Sequence, residues 1–212
     1  MNSISETYNM DCMEYMRQFP DKYFELAVVD PPYQGDDAIG IADNKKKNKQ
    51  ASKRGKYKMF DNIAPDDEYF FELSRISKNQ IVWGGNFFGL CGGAIVWQKN
   101  GTAFGEAELA ICSTHKSVRV FEYTWNGMLQ QNMKDKEDRF HPTQKPVALY
   151  KWLLSNYAKP GDKILDTHLG SGSSRIAAYD LGFDFYATEL DKDYFCAQEK
   201  RFQNFKSQLK LF

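Results

Sequence analysis

The sequence has no CxxC pair. Its four cysteines stand apart at positions 12, 91, 112 and 196, which argues against a zinc site, and no other ligand spacing suggests a metal. A chain of 212 residues can bury a core without disulfides. Free thiols suit a reducing compartment, so a cytoplasmic location is expected. No apolar run approaches about 18 residues, so no membrane span is expected. The opening MNSISETYNMD is polar and acidic, unlike a secretory leader. Net charge is also missing: 28 Lys and Arg balance 28 Asp and Glu, so the molecule as a whole carries no basic signature. There is no internal repeat.

Prolines number only seven, yet two fall together in VVDPPYQG (28–35). Pro31 and Pro32 cannot continue a strand, so the apolar run ELAVVD (25–30) must stop at Asp30. A carboxylate and the Tyr33 ring are then held at a strand's carboxyl end, the edge where open α/β sheets bind ligands. Further strands are expected at 79–85, 93–98, 108–113, 117–123, 162–167 and 184–190. Helices are expected at 11–19, 64–77, 145–158, 173–182 and 192–209, with Gly182 as a stop. Strands alternating with helices predict an α/β fold with a mostly parallel sheet.

A second constellation is ILDTHLGSGSS (164–174): strand, carboxylate Asp166, a turn with Gly170 and Gly172, then a helix start. Glycines let such a turn approach a ligand closely. Glu189, at the end of the next strand, suits an acidic residue gripping ribose hydroxyls. Arg175 stands where a dinucleotide fingerprint wants its third glycine, so a smaller adenosine-bearing ligand fits better. A third stretch, HPTQKP (141–146), precedes a helix whose N-terminal amides await acceptors such as a ligand carboxylate. Taken alone it also reads as an ordinary capped helix after an X-Pro turn.

From Lys45 to Lys58 there are eight basic residues and no acidic one: Lys45, Lys46, Lys47, Lys49, Lys53, Arg54, Lys56 and Lys58. Such runs are commonly solvated loops, but this one follows the DPPY corner directly. In 112–131, Lys116, Arg119, Trp125 and Asn126 are further candidates for nucleic-acid contact; Trp125 reads equally well as core.

DPPY, HPTQKP and LDTHLGSGSS, in that order, resemble the amino-DNA methyltransferases, which methylate adenine N6 or cytosine N4. The order is similar to that of the permuted beta group. The resemblance spans about 8–33 and 138–195, with a trace in VWGGNFF (82–88). It implies a Rossmann-like S-adenosylmethionine-dependent methyltransferase fold, circularly permuted, with helices on both faces of a twisted sheet. One domain would fill 1–212, with 34–60 and about 98–140 as target-recognition insertions. It implies S-adenosyl-L-methionine as cofactor, double-stranded DNA as partner, and dimerisation as an assembly known in the group.

Carried over residue by residue, Asp30, Pro31, Pro32 and Tyr33 become catalytic. Asp30 and the Pro31 carbonyl would polarise an exocyclic amine, and Tyr33 would stack on a flipped base. Asp11, Cys12, Asp30, His141, Thr143, Gln144, Lys145, Asp166, His168, Gly170, Gly172, Ser173, Glu189 and Leu190 become cofactor-binding. The basic run becomes a DNA contact. Family members often carry Pro-Phe where this chain has Thr167-His168. Aspartate opening the DPPY motif is typical of adenine-N6 members, so adenine is the expected target. Cytosine-N4 or RNA methylation, or a non-catalytic nucleic-acid-binding subunit, are the alternatives. A dehydrogenase would have no use for DPPY.

Overall fold

The computed structural model describes residues 3–33, 63–101, 105–125 and 129–209. The basic run with Lys45, Lys46, Lys47, Lys49, Lys53, Arg54, Lys56 and Lys58 lies outside the described residues, as does Asn126. Eight strands are described: β1 (Ser5–Tyr8), β2 (Phe24–Val29), β3 (Ser77–Trp83), β4 (Gly93–Gln98), β5 (Ala107–Cys112), β6 (Val118–Glu122), β7 (Lys163–Asp166) and β8 (Asp184–Thr188). They form one sheet in the order β1-β8-β7-β2-β3-β5-β4-β6. β5 runs antiparallel to both of its neighbours, and the other pairings are parallel. The expectation of a mostly parallel α/β sheet holds.

Period-two alternation builds the two faces. On one face Leu26, Val28, Ile81, Trp83, Ile164, Phe185 and Ala187 meet α3 (Val147–Tyr157) and α4 (Ser173–Leu181) through Leu149, Leu153, Ala177 and Ala178. On the other, Ala27, Val29, Val82, Leu165 and Tyr186 meet α1 (Cys12–Met16) and α2 (Asp67–Ile76) through Tyr15, Met16, Tyr69 and Leu73. β2 is covered on both sides from Leu26 to Val29, and there its sequence is a continuous apolar run. No helix among the described residues is long and apolar enough to cross a membrane.

Several boundaries depart from expectation. The helix expected over 64–77 begins only at Asp67, capped by Asp66, and the strand expected over 79–85 runs Ser77–Trp83 and gives way to a 3₁₀ helix at Gly85–Phe88. The helix expected over 11–19 is only Cys12–Met16, capped by the Asp11 carboxylate; the chain then tightens, Gln18 N–H donating to Tyr15 and Phe19 N–H to Met16, before Pro20. β1 is a strand of alternating half-buried and exposed residues beside β8. Its inner side meets α5 (Lys192–Leu209) through the Thr7 hydroxyl, which donates to Glu199 at 2.6 Å. Arg175 explains the missing third glycine. It is 5% exposed, lies 3.9 Å over the Phe202 ring and pairs with Glu199, joining α4 to α5, and donates to Ser5 of β1.

Candidate active site

The parallel strands fix the edge at which their carboxylates gather. Val29 aligns with Val82, so Asp30 follows at the level of Trp83. Asp166 ends β7, aligned with Ala187, and Glu189 immediately follows β8. Asp30, Asp166 and Glu189 therefore share one sheet edge, as expected.

At the Asp30 corner, Tyr33 stacks on Phe87 with ring centroids 4.8 Å apart and an interplanar angle of 11°. Gly84 has φ +65°, and a Cβ there would fall 2.5 Å from the Tyr33 ring. Glycine at 84 thus makes room for the tyrosine. The Asp30 carboxylate accepts from the Lys145 ammonium, and Lys145 Nζ also lies 3.1 Å from Glu108 Oε2. Glu108 in turn pairs with Lys99. Glu108 reaches this edge because β5 is antiparallel, so its first residues lie where the parallel strands end. Burial pushes the Asp30 carboxyl up, with Lys145 opposing. Burial acts the same way on Glu108, but Lys145 and Lys99 overcome it and hold the carboxyl down at about 2. Lys145 is buried between two carboxylates and stays firmly protonated.

The glycine turn is the second wall. Asp166 accepts from the Ser174 hydroxyl at 2.6 Å and the His168 amide at 3.0 Å. Gly170 and Gly172 have φ of +51° and +74°. The Gly170 amide donates to Glu189 Oε2 at 2.7 Å, and the Asp191 amide donates to its other oxygen at 2.9 Å. Burial raises the Asp166 carboxyl to about 7. Thr167 Oγ1 links the Tyr69 hydroxyl (2.7 Å) to His168 Nδ1 (2.9 Å). Burial lowers both His168 and His141 to about 4, so both rings are neutral at pH 7.

The remaining expected ligands divide. Asp11 spends one carboxylate oxygen capping α1, through the amides of Met13 and Glu14. Cys12 beside it is half-buried, its thiol pushed up to about 12 by burial. His141 lies edge-on to Tyr194 at 4.3 Å and bonds Thr143 Oγ1 at 3.2 Å. Gln144 instead clamps its own loop, accepting from the Phe140 amide and donating to the Asp138 carbonyl. The Val147 amide that opens α3 donates to Glu137 Oε1, so that N-terminus already holds a carboxylate. Ser173 is buried and accepts from Arg201 at 2.9 Å; Leu190 is 71% exposed. Trp125 resolves as core, 4% exposed with its indole N–H on the Gln144 carbonyl, whereas Lys116 and Arg119 are exposed. Sequence reasoning missed Glu108, Lys99 and Phe87. An acidic residue opening the apolar strand AELAIC was the one available signal.

A backbone that turns through two left-handed glycines, beside buried Asp166 and half-buried Glu189 at the ends of the flanking strands, fits an adenosine-bearing cofactor. This sheet and this edge are those of the S-adenosylmethionine-dependent methyltransferases. Residues 40–200 match the family model described as DNA methylase, for N6 and N4 methyltransferases. The chain belongs to that DNA methylase family, and its cofactor is S-adenosylmethionine. Among relatives, it is 25% identical to the type II methyltransferase M.HinfI of Haemophilus influenzae, over 92% of this chain and 67% of that protein. Among solved structures, the complex of M1.HpyAVI with S-adenosylmethionine superposes with a TM-score of 0.58 at 19% identity, covering 92% and 98% of the two chains. The cytosine-N4-specific PvuII DNA methyltransferase gives 0.64 at 11% identity, covering 95% and 87%.

Proposed function

We propose that the chain methylates the exocyclic N6 amine of adenine in duplex DNA. The observation that carries this reading is the corner itself. A carboxylate and an aromatic ring stand on a rigid Asp-Pro-Pro-Tyr turn, beside the glycine turn. An exocyclic amine is a weak nucleophile because its lone pair is delocalised into the ring. Asp30 and the Pro31 carbonyl accept its two N–H bonds and turn the pair toward the methyl donor, with the two prolines fixing the geometry beforehand. Bound S-adenosylmethionine would supply a methyl group already activated on a sulfonium, which leaves as the neutral thioether while the methylated amine gives up one of its two protons, so no covalent enzyme intermediate is called for. Tyr33 clamps the base after it leaves the stack. Asp166 and Glu189 bind the cofactor with the backbone of Gly170 and Gly172. His168 and His141, neutral at pH 7, serve as packing and hydrogen-bonding groups. The basic run and the stretch 98–140, which also supplies β5 and β6, position the DNA.

The test incubates the protein with methyl-labelled S-adenosylmethionine and mixed-sequence duplex DNA, then digests to nucleosides. Label in the N6-methylated adenine nucleoside is expected. Label in N4-methylated cytosine nucleoside would replace adenine as the target, and label only on RNA would replace DNA.

A further inference from the structure

Asp30 sits on a turn past the end of its strand, yet its partner Lys145 is held from the sheet by Glu108. The Lys145 side chain is 2% exposed, and its ammonium contacts Asp30 on one side and Glu108 on the other. Glu108 lies within β5, directly paired with Trp97 of β4. Lys99, which takes the other Glu108 oxygen, lies 4.9 Å from the centre of the Trp97 ring. The charges alternate in sign along the row Asp30, Lys145, Glu108, Lys99. A buried lysine with one carboxylate would give that carboxylate its whole charge, whereas a second carboxylate divides it.

We propose that Glu108 is a positioning residue for the methyl transfer: it holds the Lys145 ammonium from the β5 side, fixing where the Asp30 carboxylate points and how much of its charge remains for the target amine. This rests on the reading of Asp30 as the acceptor for that amine. Glu108 touches no reacting atom and acts through Lys145. No sequence motif contains it, because its role exists only once β5 is laid antiparallel beside β3.

The groups facing Asp30 come from every neighbouring element. Lys145 precedes α3 and Lys99 follows β4; both favour its ionised form, and Glu108 of β5 opposes it. Asp166 of β7 and Asp30 repel each other. Tyr69 of α2 and Tyr150 of α3 are neutral phenols whose ionisation Asp30 disfavours. Tyr33 faces the lysine.

The experiment follows single-turnover transfer from methyl-labelled S-adenosylmethionine to mixed-sequence duplex DNA, from about pH 5 to about pH 9, in wild type, Glu108→Gln and Lys145→Gln. Removing the Glu108 charge leaves the lysines to Asp30, so the acid limb of the profile moves to lower pH. Removing the Lys145 charge moves it to higher pH. About one pH unit is expected in each direction, with at least about tenfold loss of rate at pH 7 in Lys145→Gln. Calorimetric cofactor affinity, expected to stay at the wild-type value in Glu108→Gln, reports an intact fold. Limbs that move the same way, or an unmoved limb in Glu108→Gln with a lowered melting temperature, would overturn the proposal. If Lys145→Gln does not fold, the Glu108→Gln limb decides alone. Asp30→Ala separates the two readings: transfer that survives it removes Asp30 from the mechanism, whereas an unmoved Glu108→Gln limb beside an inactive Asp30→Ala removes only Glu108.

Discussion

Burial makes the Asp166 carboxyl a weaker acid in the native state than in the unfolded chain. Burial puts its carboxyl at about 7, against an ordinary value of 3.8. Between those values the folded protein binds more protons than the unfolded one, so this group's contribution to stability falls as pH rises from about 4 and is fully lost above about 7. Asparagine keeps the shape, accepting from the His168 amide and donating to the Ser174 hydroxyl, without a charge to bury. Asp166→Asn is expected to melt at a higher temperature than wild type at pH 8, to equal it near pH 4, and to bind S-adenosylmethionine more weakly. Melting profiles that coincide across this range would show that Asp166 titrates as an ordinary carboxyl. Residues of this kind were legible: Asp30, Tyr33, Asp166, Gly170, Gly172 and Glu189 sit beside prolines, glycines and strand ends that announce them. Glu108 and Lys99 were not, because they meet Lys145 through an antiparallel register that no local pattern encodes. The hydrogen bonds of Gln144 were equally hidden: its motif position suggests a ligand, and its side chain also clamps its own loop.

The turn between β3 and the short 3₁₀ helix Gly85–Phe88 controls the Tyr33 ring. Gly84→Ala places a methyl group where the ring lies and strains a positive φ. About 1 kcal/mol of stability is expected to be lost, and displacement of Tyr33 lowers methyl transfer to duplex DNA at least about tenfold. Cofactor affinity is unchanged, because the glycine turn after β7 is not touched. Equal losses in affinity and rate would mean that the change has spread beyond this corner. Among the elements, those with apolar periodicity or a clear cap were readable. α3 and α4 begin within two residues of expectation, and Gly182 closes α4 in the left-handed conformation. β1 was not readable as a strand from its own residues. SETY is four residues, mostly polar, and becomes a strand only because β8 offers an edge.

Zero net charge sets a condition on the whole molecule. Affinity for a polyanion must come from local clusters, and the sequence concentrates eight positive charges between Lys45 and Lys58. Replacing Lys45, Lys46, Lys47 and Lys49 by glutamate is expected to raise the Kd for duplex DNA and to flatten the dependence of log Kd on log salt. Each lost phosphate contact lowers the slope by about 0.9. A slope equal to that of wild type would mean that these lysines do not meet the backbone. The architecture was legible at this scale because motif order alone distinguishes the permuted chain.

The position of β1 has a consequence for how the molecule is made. Ile4 and Asp184 are joined by a hydrogen bond across 180 positions of sequence, and the β1–β8 ladder spans the longest separation in the sheet. β1 leaves the ribosome long before the strand it pairs with, and before the Glu199 and Arg175 side chains that seat it. Its edge can only wait in water until β8 and α5 have been synthesised. A short, polar strand tolerates that wait, because it offers little apolar surface to a passing chain. The feature that hid β1 from pattern reading thus suits a strand made long before the one it pairs with.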